Sequence, residues 1–355
     1  MSLYIHDWTT VSPLGIGLED FKASVAMELP RCFDNLEATP KRSTVFESFD
    51  KKMHLGKKGV RGMDQLGAYA TIASKLLVDR TDVLENHDSS RVGVILGTGT
   101  GSLKSQIEFI KELHTSERVE WVNPIQFPQT VMNCAAGQVS IWHKFTGVNA
   151  TVSSGHHSAV TACNYAENLF AQDRLDWALV GSAEENCEYS SYLYLKNRPN
   201  LFKQHSLGEG CAMFLVSRKY HSESIAQVCK FERYAWLSRK TPEERTEILR
   251  QLIEESVSGL TESVCRICYN AFSSQDHELV QSLLEQTSVL QSAQPICSNS
   301  IVADCFSSTA GFQLCLLLAI ALEHPETTQQ EQSVDISLTI DTSGGVAITV
   351  LKKGN

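Results

Sequence analysis

No block of basic residues occurs anywhere in this 355-residue sequence. Its 31 lysines and arginines are scattered among 41 acidic residues, for a formal charge of −10, so nucleic acid and anionic membranes are poor partners. Long hydrophobic runs are missing as well. The longest, Leu314–Leu322, is too short to insert in a bilayer and reads as a buried helix. The opening residues, MSLYIHDWTTV, contain neither a basic stretch nor an apolar one, so no signal peptide and a cytoplasmic location are expected. Short-period repeats and low-complexity tracts are absent. The 11 cysteines follow no regular spacing, which argues against a secreted disulfide framework and for reduced thiols. One C-x-x-C, Cys265–Cys268, lies in a strand-like run without a second pair, against a zinc or redox site.

What is present suits a globular protein of one large domain or two intimately packed ones, with 42% hydrophobic and 20% charged residues. Arg91–Gly99 reads as a buried strand ending in a tight turn, followed by a helix over Ser102–Leu113 with Leu103, Ile107, Ile110 and Leu113 on one face. Gly147–Ser153 reads as a strand, Ala159–Gln172 as a helix burying Ala159, Ala162, Cys163, Ala166 and Leu169/Phe170, and Asp176–Ser182 as another strand. The alternation returns with a helix over Ser307–Leu322 and strands over Val334–Ile340 and Gly345–Leu351, which predicts an α/β fold with covered sheets. Ala171–Arg174, Asn197–Ser206, Ser238–Glu244 and His324–Ser333 are polar and linker-like, and Glu326–Gln332 reads as a solvated loop.

Over Gly147–Glu184 the sequence resembles the nucleophile region of β-ketoacyl-acyl carrier protein synthases, ketosynthases of the thiolase superfamily. In that family a strand leads to a cysteine at the start of a buried helix, where the helix N-terminus favours the thiolate. Gly147 lies nine residues before position 156 and Glu184 twenty-eight after it, the family's two distances to that cysteine; the residue at 156 is His156. Cys163, in a T-A-C tripeptide like the family's, comes seven residues too late and reads as core. The family's N-A-H segment becomes Asn270-Ala271-Phe272, so Phe272 replaces a histidine. In Ser300–Gly311 (SIVADCFSSTAG), Ser300 replaces the lysine and Cys305 the second histidine. The glycine-rich gate loop survives only as Thr342-Ser343-Gly344-Gly345, with Ser343 at the gate position. Scaffold motifs persist in Val11–Gly15, Gly97–Gly101, Gln126–Asn133 and Leu207–Gly210, so the resemblance runs along nearly the whole chain.

The resemblance implies a thiolase-like fold, two related α/β halves in a five-layer α-β-α-β-α arrangement, with a first half over 1–218 and a second over 219–355. It also implies a degenerate ketosynthase that is no enzyme by itself and takes no cofactor or metal. Chain-length factors are such homologues: they form a heterodimer with a catalytic ketosynthase, meet acyl carrier protein through the complex, and shape an acyl tunnel by steric selection. By position, Thr100, Leu103, Ile107, Gln126, Phe127 and Met132 are expected near such a tunnel, and Gln126–Cys134 with the strand at Gly147–Ser153 at the dimer seam. Two alternatives stay open: a divergent acyltransferase or decarboxylase using His156 or a cysteine, and a purely structural subunit. The adjacent His156-His157 pair lacks metal-ligand spacing, and the Gly97–Gly101 turn, with Glu117 and Glu120 ending no obvious strand, reads as structural rather than dinucleotide-binding.

Overall fold

Strand pairing carries an internal repeat that is invisible in the residues. The computed structural model describes residues 3–40, 44–45, 49–84, 87–197, 207–234, 237–323 and 333–354. The loops read at Asn197–Ser206 and His324–Ser333 fall, apart from Asn197 and Ser333, outside the described residues, and Glu326–Gln332 wholly so. Strands are β1 (Leu3–Ser12), β2 (Gly15–Ile16), β3 (Val92–Gly97), β4 (Asn149–Val152), β5 (Trp177–Glu184), β6 (Gly210–Ser217), β7 (Ala226–Tyr234), β8 (Ser263–Tyr269), β9 (Gln294–Cys297), β10 (Ser333–Ile340) and β11 (Val346–Lys353). They form one mixed sheet in the order β4-β3-β5-β6-β1-β7-β11-β10-β8-β9, with β2 folded back on β1. Leaving β2 aside, each side read outward from the β1–β7 seam gives the same order: first, fifth, fourth, second and third strand of its half. The senses match too. β1–β6 and β6–β5 are antiparallel, as are β7–β11 and β11–β10, while β5–β3–β4 and β10–β8–β9 are parallel.

The helices are α1 (Leu18–Asp34), α2 (Lys51–Leu55), α3 (Gln65–Val78), α4 (Leu103–Thr115), α5 (Cys134–His143), α6 (Ser158–Ala171), α7 (Glu188–Asn197), α8 (Pro242–Val257), α9 (Ser274–Gln286), α10 (Asn299–Val302) and α11 (Thr309–Glu323). Helices α3 and α5 cover the outer face of the first half, α6 and α11 fill the middle with α1, and α8 and α9 cover the second half, giving five layers. Because the strands are covered on both faces, β3, β5 and β6 are buried along their whole length, and their sequences read as near-continuous apolar runs. β10 (SVDISLTI) alternates yet is equally buried. Its Val334, Ile336, Leu338 and Ile340 join the core under α8 and α9, while Ser337 and Thr339 donate to Gln313 Oε1 of α11 at 2.8 and 2.6 Å. A polar stripe on this strand therefore marks a middle-layer glutamine rather than solvent.

One local reading changes. Ser238–Glu244 is not a linker, because α8 begins at Pro242 behind a capping box: Thr241 Oγ1 accepts from Glu244 N and Glu244 Oε2 from Thr241 N. Cys265 and Cys268 both lie on β8, Cys265 at a register shift in the pairing with β10, and both thiols are free. No helix among the described residues is long and apolar enough to cross a membrane.

Across β8 and β10, Arg266 clamps Asp335 with two 2.9 Å hydrogen bonds, both side chains being buried. Removing one partner strands the other charge. Arg266→Met should cost about 3–5 kcal/mol in urea unfolding, and adding Asp335→Leu should recover most of it. A single variant as stable as the parent would show that the pair is solvated.

Candidate functional site

The carboxyl ends of strands from both halves converge on position 156. After β4 the chain turns at Ser154–Ser158 into α6. Gly155 makes the turn at φ +58°, and a Cβ there would lie 2.3 Å from Asp341 Oδ2, so glycine is needed both for the backbone and for the approach of the carboxylate. His156 follows, only 1% exposed. Asp341, just past the end of β10, accepts on Oδ2 from His156 Nδ1 and from its main-chain N, both at 3.0 Å. Asp304, after α10, lies with Oδ1 3.1 Å from His156 Nε2. The Phe272 ring meets the imidazole edge-on, centroids 5.0 Å apart.

Carboxylate oxygens only accept, so both ring nitrogens donate and His156 is an imidazolium. Burial works to lower its pKa, but the Asp304 charge and the hydrogen bonds to both carboxylates outweigh it and raise the pKa to about 9. Burial works to raise Asp341, and the His156 hydrogen bond and charge instead hold it far below the usual carboxylate range. Asp304 Oδ1 also accepts from Phe306 N at 3.0 Å and Thr309 Oγ1 at 3.2 Å. Ala303 and Phe306, flanking it, both adopt left-handed φ (+70° and +50°), a strained backbone that turns the carboxylate inward.

The other sequence-derived positions divide. Ser343 is exposed and holds Asp341 Oδ1 through its main-chain N (2.7 Å) and hydroxyl. Phe272 belongs to the cluster. Cys305 does not: its Sγ is directed to the main-chain oxygens of Val302 (3.4 Å) and Glu209 (3.8 Å), and burial pushes the thiol well up. Asp304, one residue earlier, is the one that reaches His156. Ser300 lies away from the cluster, donating to Leu36 O beyond α1 at 2.6 Å. Cys163 is sealed inside α6, its thiol pushed up to about 12 by burial.

Sequence reasoning assigned no role to Asp304 or Asp341. The available signal was a single acid inside each of two small or apolar runs, S-I-V-A-D-C-F and L-T-I-D-T. A buried carboxylate requires a partner, and His156 was the nearest candidate cation in the motif alignment.

The Gly97–Gly101 turn is closed from within. Glu184 accepts from Gly99 N (2.7 Å), Thr100 N (3.2 Å), Thr100 Oγ1 (2.6 Å) and the Ser307 hydroxyl. The donors that could cradle a phosphate thus already hold an anion of the chain. Of the tunnel set, Thr100 sits in this network, and Leu103 and Ile107 are half-buried on α4. Gln126 and Phe127 lie on the 3-10 segment Pro124–Thr130 that packs on α4, Phe127 touching Phe109 at 5.9 Å between centroids. Met132 backs against Gly101, and both it and Phe127 are exposed. Among the described residues no group of three or more His, Cys, Asp or Glu side chains is arranged to hold a metal.

The cluster has a pH signature. His156 titrates higher folded than its unfolded value of 6.5, so its contribution is complete below that pH and is lost as pH rises through about 9. The depressed Asp341 adds stability that is present above pH 3.8 and lost as pH falls towards its folded value. Imidazole NMR should therefore show both nitrogens of His156 protonated to above pH 8, with stability declining across the alkaline limb. Titration near 6.5 would contradict an ion cluster.

The family model described as "Beta-ketoacyl synthase, N-terminal domain" matches residues 31–222. The 3-oxoacyl-[acyl-carrier-protein] synthase 2 of Vibrio cholerae is 26% identical over 154 residues, covering 43% of this chain and 37% of the relative. The mitochondrial 3-oxoacyl-[acyl-carrier-protein] synthase of Arabidopsis thaliana is 29% identical over 156 residues, 42% of this chain and 32% of the relative. The chain thus matches about a third of the length of these curated relatives. Among solved structures, the ishigamide ketosynthase/chain length factor superposes with a TM-score of 0.80 and 26% identity over the whole of both chains. The ketosynthase ApeO in complex with its chain length factor ApeC from Xenorhabdus doucetiae gives 0.78 and 14% identity over 99% and 98%, a likeness of fold alone. With more than half of its length under the family model and a thiolase-like fold throughout, the chain belongs to the β-ketoacyl synthase family.

Proposed function

We propose that the chain is the non-catalytic partner of an active β-ketoacyl synthase, shaping the acyl tunnel at their interface. The pathway class is type II polyketide, aryl-polyene or fatty-acid-like synthesis, with acyl carrier protein met through the complex. One observation carries the reading. His156 is locked between two carboxylates, so neither ring nitrogen has a lone pair for attack. The same geometry counts against an acyltransferase that uses His156. In keeping with the repeated strand order, we place the division between the two halves at residues 218 and 219.

The open edge of the sheet supports pairing. β9, at one end, carries Pro295, which blunts it, and packs beside α1. β4, at the other, has neither proline nor charge and is partly exposed. The helices packed on it carry large exposed apolar side chains, Ile141 on α5 (79% exposed) and Tyr165 on α6, and Phe127 (60%) and Val131 stand on and next to the 3-10 segment beside α5. Among the solved structures of this fold, ApeO is in complex with its chain length factor.

The isolated chain should not condense an acyl thioester with malonyl-carrier protein, nor should His156→Cys, since Phe272 and Cys305 still stand where the family has histidines. A stoichiometric acyl adduct on the parent chain would overturn the proposal. Co-expression with a catalytic homologue should raise soluble yield by mass action and give a dimer burying more than about 2,000 Å². In that reconstituted pair Phe127→Ala should lengthen products and Leu103→Trp should shorten them. Unchanged lengths with an intact dimer would reduce the chain to a scaffold.

A further inference from the structure

A half-buried histidine, His6, lies far from His156, on the strand that joins the two halves. His6 occupies a bulge of β1: the pairing with β6 shifts register between Ile5 and Asp7. Immediately before it, Leu3–Ile5 pair with Ala226–Val228 of β7, a three-residue ladder linking the two sides of the sheet. The connection between the halves, residues 218–225, wraps around the His6 ring.

The Nε2 proton of that ring is assigned by its neighbours, and in the neutral ring Nδ1 is then the acceptor. Ser217 Oγ donates to Lys219 O at 2.8 Å, so its contact with His6 Nε2, also 2.8 Å, is accepted from an Nε2–H. Ser224 Oγ accepts from His221 N at 3.0 Å and directs its own proton to His6 Nδ1 at 3.3 Å. Both serines are buried. His6 is thereby held neutral, in one tautomer, as the centre of a directed chain from His221 N to Lys219 O.

A proton added at Nδ1 would confront the Ser224 hydroxyl proton and force that serine to swing away. The surroundings offer little to offset it. His221 faces the ring at 5.1 Å and Trp177 of β5 at 4.7 Å, both between centroids, while His87 accepts from the indole N–H. Arg218, Lys219 and Glu223 lie on the connection. The nearby acids are largely engaged: Asp7 with Arg80, and Asp173 and Asp176 with Arg91. Burial and His221 accordingly depress His6 to about 4.

We propose that His6 is an acid-sensitive latch between the two halves, whose protonation breaks the Ser224 contact and loosens both the 218–225 connection and the β1–β7 ladder. His6 lies below its unfolded value of 6.5, so the stability it confers is present above that pH and falls as pH drops towards 4. The latch is independent of the dimer proposal.

The test uses the full chain. Imidazole NMR should show the Nε2–H tautomer of His6 at pH 7.5 and a titration near 4. Opening that frees the ring should be favoured roughly fiftyfold more at pH 4.5 than at pH 7. Hydrogen-exchange protection of the amides over 225–228, corrected for intrinsic rates, should fall accordingly, while Ile95 and Val180 hold theirs. Ser224→Ala, which removes the donor to Nδ1, should raise the His6 pKa by about one unit and shrink that pH dependence. An Nδ1–H tautomer, titration near 6.5, or equal pH dependence at the seam and at Ile95 and Val180 would each overturn the latch.

Discussion

An imidazolium between two carboxylates, sealed from water, holds the centre of this molecule together. His156 comes from the first half of the chain, Asp304 and Asp341 from the second, and the contact lies where strands of both halves end. Other local features are arranged to serve it. Gly155 leaves room for Asp341, Ser343 steadies that carboxylate, and the left-handed Ala303 and Phe306 aim Asp304. Here the space is filled by a ring whose two polar atoms are committed, and the site acts as a joint.

The sheet's internal repeat explains why such a joint is useful. Two copies of one strand order meet edge to edge over only three residues of β1 and β7. The middle-layer helices α6 and α11 supply apolar contact between the copies, and Gln313 ties α11 to β10 through hydrogen bonds. Directional bonds are then needed where the loops meet, since apolar packing alone specifies register poorly. The ion cluster at one end of the strands and the His6 chain at the other provide them.

Much of this was legible in the residues. The buried strands at β3, β5 and β10 and the helices α6 and α11 stood out because apolar runs and small-residue faces report coverage on both sides. Motif spacing led to position 156, where the sequence has histidine. What could not be read was the replacement chemistry. Asp304 and Asp341 are 148 and 185 residues from His156 in sequence, and nothing local in S-I-V-A-D-C-F or L-T-I-D-T indicates their partner. The assignment of interest to Cys305 missed by one residue, because a motif alignment fixes Cα order while the left-handed turns on either side of Asp304 decide which side chain faces inward. The α8 start at Thr241-Pro242-Glu243-Glu244 was hidden for a different reason: a capping box is polar and resembles a linker until its reciprocal bonds are seen.

The same cluster makes its three residues hard to change one at a time. Exchanging His156 for a neutral nucleophile leaves two buried carboxylates facing each other without a cation. Exchanging either aspartate first removes one of the two anions that hold the imidazolium charged. Breaking a buried ion pair from one side costs about 3–5 kcal/mol, a large share of the roughly 5–15 kcal/mol that holds a typical domain folded. Any replacement of the trio therefore passes through destabilised intermediates whichever residue changes first. Electrostatics works here as a ratchet: with the three charges in place, the surface around them can vary far more readily than the cluster itself.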